Sequence, residues 1–390
     1  MRINILCVAV IALAIFSIEA NQTVYIQNYN VAETDYNFLQ GFKLSGGIGK
    51  IGHRRKIAPV TSNVQGVVRT TQDVLVSFAV FDLNCPVTIQ LPPNEGRYLS
   101  LYALDNEQFS VALLHSTPTK SASITISYPK ADKSKCPNVP KTDSDEDDSE
   151  ENSREKGPKP PKPTKPPKPV KVKAETRYVC TLIRIFVDPN NATDVLEANR
   201  LQDAVTVSQA SVGNWTWADW NTTSLFAVRN AIAGLAPFME PYTQFNGYRG
   251  QIDETLHYIG TATGWGGNPA EEAVYYIIFP PELTDINQVY YIDIDSPSSI
   301  PIGETGFWSV TVYNSAGYLQ FNNASSYVVN SVTAKTESNG SIRVYLSNTR
   351  ADYMKNWIYI FPGWNYCVRL YLPQTPILTN TWTFPALQQL

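Results

Sequence analysis

Residues 143–173 hold almost nothing that a protein interior accepts. An acidic run, Asp143-Ser-Asp-Glu-Asp-Asp-Ser-Glu-Glu151, is followed by Pro158-Lys-Pro-Pro-Lys-Pro-Thr-Lys-Pro-Pro-Lys-Pro169 and then by Lys171 and Lys173. Ordering a residue costs about 1–2 kcal/mol of backbone entropy, and a segment without apolar surface has little to offset it. A disordered charged insertion is therefore expected over 131–175, its proline half stiffened toward polyproline II. The carboxylates Asp143, Asp145, Glu146, Asp147 and Asp148 are candidate ligands for weakly bound Ca²⁺, because a hard cation takes several oxygens and a flexible chain loses entropy in supplying them. Mineral and acidic glycans are the other partners such an arm suits. The competing reading is a solvated spacer whose two halves partly neutralise each other.

Folding must then come from either side of the insertion. Ahead of it, Val74–Phe81, Val87–Leu91, Tyr98–Leu104 and Ile124–Tyr128 are short apolar runs punctuated by Pro, Gly and Asn, as in antiparallel strands, and Tyr178–Val187 follows it. Helical spacing of apolar residues comes next, over Asp194–Ser211, Thr223–Met239 and Ile252–Ile259, the last stopping at the Gly264-Trp265-Gly266-Gly267 turn. The remainder reads as hairpins: Phe307–Tyr313 turning at Ser315-Ala316-Gly317, Ile342–Leu346 fed by a type I′ turn at Ser338-Asn339-Gly340-Ser341, and Tyr366–Leu372 after Pro362-Gly363. The expected fold class is mostly β with a helical segment (α+β), built as two β-sandwich or jelly-roll-like modules.

At the start, Met1 and Arg2 precede an apolar run from Ile5 to Ile18 that ends on Ala20 before Asn21. This is the pattern of a secretory signal peptide over residues 1–20. The run falls short of the roughly 20 apolar residues that span a bilayer, and no later stretch reaches that length, so no membrane span is expected and the destination is extracellular. Sequons at Asn21, Asn191, Asn214, Asn221, Asn323 and Asn339 agree with that route and are expected at the surface where occupied. Cys7 leaves with the signal, so Cys85, Cys136, Cys180 and Cys367 remain, an even set that suits two disulfides. Pairing Cys136 with Cys180 is favoured because it brackets the insertion, and closing such a loop contributes about 4 kcal/mol. The alternative keeps one pair as buried thiols. A formal net charge of -4 with 17% charged residues gives no footprint for nucleic acid.

Val67-Val-Arg69, Val80-Phe-Asp-Leu83, Pro86-Val-Thr-Ile89, Arg97-Tyr98, Val187-Asp-Pro-Asn190, His257-Tyr-Ile-Gly-Thr-Ala-Thr-Gly-Trp-Gly-Gly-Asn-Pro269, Gly306-Phe-Trp-Ser-Val-Thr-Val-Tyr313 and Pro362-Gly-Trp-Asn-Tyr366 together resemble a widespread bacterial and algal-virus family. Its members pair domain of unknown function 1254 with domain of unknown function 1214. The resemblance covers nearly the whole mature chain except the insertion. It implies two sandwich-rich modules with helices between, the first over 21–265 and the second over 266–390, and it places the insertion in a loop of the first module. It implies no particular chemistry. Where many relatives read Asn-Arg-Asp-Thr-Leu-Tyr-Ser, this chain reads Thr71-Gln-Asp-Val-Leu-Val-Ser77, keeping Asp73, Leu75 and Ser77 and losing the Asn, the Arg and the Tyr.

Patterns that carry catalysis are mostly missing: there is no His-Glu-x-x-His, Gly-x-Ser-x-Gly or phosphate-cradling loop, no cofactor is expected, and His53, His115 and His257 are the histidines available. One constellation remains, His257 with Asp253 and Glu254 upstream and Glu271 and Glu272 beyond the Trp265 turn. At i, i+4 on a helix, Asp253 would share a face with His257 and orient it as a general base; the plainer reading is a packed histidine at a helix end. Trp215, Trp217 and Trp220 sit between the sequons at Asn214 and Asn221, where they are either a sugar platform, with Trp217-x-x-Trp220 resembling a C-mannosylation acceptor, or core packing. Trp308 and Trp364 read as core. The function expected from these features is that of a secreted, glycosylated structural or interaction protein, a candidate component of a calcified or other extracellular matrix. Its rivals are a hydrolase- or lyase-like enzyme using His257 and a glycan-binding module.

Overall fold

A computed structural model describes residues 21–57, 60, 65, 67–137, 168–240, 244–280 and 285–390. The expected signal segment 1–20 and the candidate Ca²⁺ ligands Asp143, Asp145, Glu146, Asp147 and Asp148 lie outside the described residues.

Alternating side chains build the first half. Its strands are β1 (Gly52–His53), β2 (Val74–Asp82), β3 (Val87–Leu91), β4 (Leu99–Asp105), β5 (Ser110–His115), β6 (Ala122–Ser127), β7 (Val170–Lys173), β8 (Tyr178–Phe186) and β9 (Thr206–Gln209). They form two sheets, ordered β1-β2-β8-β4-β5 and β7-β6-β3-β9, with β7 parallel to β6 and the other pairs antiparallel. Successive residues of a strand point to opposite faces. Leu75, Ala79 and Phe81 of β2 and Val179, Ile183 and Ile185 of β8 therefore meet Val87, Ile89, Ile124 and Ile126 of the other sheet in one core. The intervening Val80, Cys180 and Leu182 are buried on the opposite face.

The second half repeats the arrangement with β10 (Ala273–Ile278), β11 (Tyr290–Ile294), β12 (Trp308–Tyr313), β13 (Val328–Asn330), β14 (Ile342–Ser347), β15 (Asn356–Tyr359), β16 (Asn365–Tyr371) and β17 (Gln388–Gln389). Sheets β10-β16-β12-β13 and β15-β14-β11-β17 enclose Val274, Ile292, Trp308, Val310, Val344 and Val368, and Trp364 joins that core. The helices are α1 (Tyr29–Ser45), α2 (Ala192–Asp203), α3 (Thr222–Ala233), α4 (Glu254–Gly264) and the short α5 (Thr375–Leu378). Side chains of Asn191, Asn221 and Asp253 accept first-turn amides of α2, α3 and α4, satisfying donors that a helix start leaves open. Helices α1, α3 and α4 share Tyr29, Ala32, Leu225, Ile259 and Ala262, while α1 lays Phe38 on the outer face of the β2-β8-β4 sheet. The fold is thus mostly β with a helical layer, as the sequence implied.

Several local expectations need correction. Residues 194–211 are helical only to Asp203, and the following Thr206–Gln209 pairs with β3 as β9. The expected Thr223–Met239 helix divides into α3 and a 3-10 turn at Ala236–Phe238, where Pro237 interrupts it. The disorder expected over 131–175 does not hold at its two ends: Lys133–Lys135 form a 3-10 turn and Val170–Lys173 form β7. Cys136 bonds Cys85, not Cys180. The reason is strand alternation, which turns Cys180 to the face under α1, away from the β3 sheet; Cys180 and Cys367 are both buried thiols. The turn at Glu337–Gly340 has a positive φ at Gly340 alone, so it is not type I′, and Ile342–Ser347 pairs with β11 and, in parallel, with β15. No helix among the described residues is long and apolar enough to cross a membrane.

Candidate functional site

An open cavity of about 960 Å³, counting its solvent-filled mouth, lies where the outer faces of the β2-β8 and β10-β16 strand pairs approach each other. Alternation decides what it contains. The positions of each strand that do not enter a sandwich core line it: Val76 and Phe78, Leu182 and Arg184, Tyr275 and Ile277, and Cys367, Arg369 and Tyr371. The loop before β2 adds Arg69, Arg54 joins the lining, and the turn after α4 adds Trp265, Gly266 and Gly267. That turn needs glycine. Gly266 has φ +74°, a Cβ there would fall 2.9 Å from Leu182, and one on Gly267 would fall 2.3 Å from the Asn246 amide nitrogen.

Three guanidiniums dominate the chemistry. Arg184 and Arg369 are buried and Arg69 is half-buried. Arg184 donates to Asn268 Oδ1 at 2.6 Å and to the Gly266 carbonyl, with its guanidinium over the Tyr102 ring. Arg369 donates to Thr311 Oγ1 at 3.1 Å, to the Tyr313 hydroxyl at 2.7 Å and to the Arg69 carbonyl at 2.7 Å. Arg69 makes longer contacts, 3.3 Å to the Thr263 carbonyl and 3.4 Å to Asn365 Oδ1, and its buried Nε has no partner. None of the three lies within 4 Å of a carboxylate oxygen among the described residues. Asp73 is the acid whose charge acts on Arg369, but burial pushes its carboxyl up, against hydrogen bonds from Asn330 and Thr71. The cavity wall is therefore net cationic, set among aromatic and aliphatic side chains.

The constellation expected around His257 is not assembled as a catalytic unit. His257 is buried, its Nε2 lies 2.8 Å from the Glu107 carbonyl, and its ring stacks on Phe109 at 3.8 Å. Burial pushes its pKa down. Asp253 uses Oδ1 to cap α4, accepting the Thr255 and Leu256 amides, while Glu254 begins that helix. Glu271 meets Tyr248, and Glu272 pairs with His115 at 2.6 Å. Trp215 is buried against Phe38 and Phe42, and Trp220 donates to Asp35 at 2.9 Å, while Trp217 stays 42% exposed. Asn21, Asn191, Asn214, Asn323 and Asn339 are exposed; Asn221 is half-buried at its cap. No group of three or more His, Cys, Asp or Glu side chains that could hold a metal occurs among the described residues.

Sequence reasoning did not single out the three arginines. A usable signal was present, since Leu182-Ile183-Arg184-Ile185 and Cys367-Val368-Arg369-Leu370 each place one charge inside an apolar strand, where Arg is rarely buried unless something needs it.

Two β-sandwiches with a helical layer and an arginine-lined cleft at their seam define the class of this protein. Residues 48–209 match the family described as Protein of unknown function (DUF1254), and residues 282–375 match Protein of unknown function (DUF1214). The chain belongs to the family that pairs these two domains in this order. The crystal structure of the VPA0106 protein from Vibrio parahaemolyticus is similar, with a TM-score of 0.60 at 15% identity, covering 93% of this chain and 98% of that one. A putative uncharacterized protein from Burkholderia cenocepacia gives 0.51 at 14% identity, covering 93% and 88%. At these identities the likeness is one of fold. No curated protein matches the chain.

Proposed function

We propose that this is a secreted, glycosylated binding protein that holds a small organic anion in the arginine-lined cleft. The observation that carries the reading is the convergence of buried Arg184 and Arg369 and half-buried Arg69 on one open cavity without a paired carboxylate. A buried charge left unpaired costs several kcal/mol, so the arrangement is best satisfied by an anion arriving from solvent. Arginine's planar, always-charged fork also matches carboxylate and phosphate geometry. Apolar and aromatic walls with a few convergent polar groups are the usual composition of a small-molecule site.

Secretion is supported by the apolar N-terminal segment, by a disulfide at the root of the insertion and by exposure of five of the six sequon asparagines. The charged arm, by its composition, suits a matrix- or ion-binding role in the same protein. A catalytic role for His257 has less support, because its Nε2 is engaged by the Glu107 backbone carbonyl, not by a carboxylate, and its ring faces Phe109.

The test is thermal unfolding in small organic anions against chloride at equal ionic strength. A ligand at a hundred times its dissociation constant adds about 2.7 kcal/mol of stability. The melting temperature should rise for the wild type and not for Arg369→Met or Arg69→Met; equal responses in all three would remove the cleft as the site.

A further inference from the structure

Apart from the exposed Arg54, the cationic groups of the cleft form two poles. Arg69 and Arg369 stand together, since Arg369 donates to the Arg69 carbonyl at 2.7 Å while Arg69 reaches Asn365 at the start of β16. Arg184 has its own anchors, on β8, in Asn268 and the Gly266 carbonyl of the turn after α4. Tyr275 and Tyr371 line the same cavity, and each feels the charge of both Arg184 and Arg369. The polar atoms left without partners here are donors, Arg69 Nε and, beside Arg184, Asn268 Nδ2. The carbonyls of Gly266, Thr263 and Arg69 are already engaged by guanidinium N–H groups. A ligand that fits must bring acceptors to both ends and little to donate.

We propose that the cleft binds a small organic dianion, in its simplest form a short dicarboxylate, with one anionic group at Arg184 and the other at the Arg69–Arg369 pair. The ligand's body then lies over Tyr275 and Tyr371, against Phe78, Trp265 and Ile277. The inference rests on the reading of the cleft as an anion site. A monoanion neutralises one pole and leaves the other buried and uncompensated, whereas a dianion of the right length satisfies both. Length therefore becomes a specificity element. Arg184 belongs to the first sandwich and Arg369 to the second, so the ligand also bridges them.

Calorimetric titration of the full mature chain at fixed ionic strength tests this, with acetate, butyrate and sulfate compared with malonate, succinate, glutarate and adipate. One or two adjacent members of the dicarboxylate series should bind roughly ten- to a hundredfold tighter than acetate or butyrate, the order expected of one added charge-assisted contact. Affinity should fall on either side of that length. Arg184→Met should lower the best dicarboxylate to the level of acetate while leaving acetate binding at the other pole. The wild-type series needs no variant to fold, so it decides the matter alone. Acetate or sulfate binding as tightly as the best dicarboxylate would overturn the two-pole inference and leave the anion site standing. No binding by any of the seven would overturn both.

Discussion

His115 and Glu272 form an ion pair between the two sandwiches, and its geometry sets a pH dependence. His115 Nε2 lies 2.6 Å from Glu272 Oε2, and its Nδ1 lies 3.1 Å from the Leu99 carbonyl. Both neighbours accept, so a ring protonated on both nitrogens satisfies them; Tyr98 donates to the other Glu272 oxygen. Burial alone pushes the His115 pKa down, but the hydrogen bond and charge of Glu272 outweigh it, and the net shift is upward. A folded-state pKa above the unfolded one gives stability that is fully present below about pH 6.5 and lost as pH rises through the folded value. Asp35 acts in the same direction over a lower window. Its burial pushes the carboxyl up to about 6, with the Trp220 N–H opposing. Its contribution is complete below about pH 3.8 and disappears as pH approaches 6, a loss on the order of 3 kcal/mol at most. These two groups should thus contribute two downward steps to the urea midpoint as pH rises from 4 to 8, superposed on Asp73, whose carboxyl pKa burial also raises, and on His257, which acts in the opposite direction. His115→Gln should flatten the upper step and Asp35→Asn the lower one. A variant that keeps the wild-type profile would show that its residue does not set that step.

Helix α1 presses closely on β2, and Gly41 is where it does so. A Cβ at Gly41 would come within 1.9 Å of the Phe78 ring. Alanine is preferred over glycine in a helix by about 1 kcal/mol, while overpacking a core costs about 1–3 kcal/mol or more. Gly41→Ala should therefore destabilise by roughly 1–2 kcal/mol in denaturant titration, and adding Phe78→Leu should recover part of the loss. Stabilisation by Gly41→Ala alone would mean that the helix shifts freely. This helix was also the element least legible in the sequence. Its buried set includes Asn30, Glu33, Thr34, Asp35 and Asn37, so no apolar stripe announces it; Glu33 is instead satisfied by Arg229 at 2.7 Å. The long strands were legible, because β2, β8, β12 and β16 are apolar runs edged by turn residues. What they concealed was the cleft. A strand buried on both faces shows an almost continuous apolar run, and the run does not reveal which alternate set faces a sandwich core and which, like Arg184 and Arg369, faces the seam. Four-residue strands such as β7 and β9 carried too few positions to be read.

The two sandwiches meet along a mixed seam, where Tyr98 and Phe186 pack on Phe307 and Tyr371 beside a set of polar contacts. Asp73 accepts from Asn330 at 2.8 Å, Tyr313 donates its hydroxyl to the Thr70 carbonyl at 2.7 Å, and Gln65 exchanges two hydrogen bonds with the Leu319 backbone. A ligand in the cleft would add to this seam, whereas the charged insertion is rooted away from it. Cys136 is tied to Cys85 ahead of β3, and beyond the insertion β7 pairs with β6 as the edge strand of its sheet. Both anchors stay in place if residues 138–167 are replaced by a Gly/Ser linker about a quarter as long. Loop-closure entropy changes by only about 0.6 kcal/mol per halving of length, so the shorter loop should leave stability unchanged or raise it by about 1 kcal/mol. If the insertion gives the protein its matrix role, that replacement should abolish retention in an insoluble or calcium-loaded extracellular fraction while unfolding stays cooperative and dicarboxylate binding stays at its wild-type level. Retention that survives the replacement would assign the matrix contact to the folded modules or their glycans. A loss of cooperative unfolding would show that the insertion supports the first sandwich, a role its composition argues against.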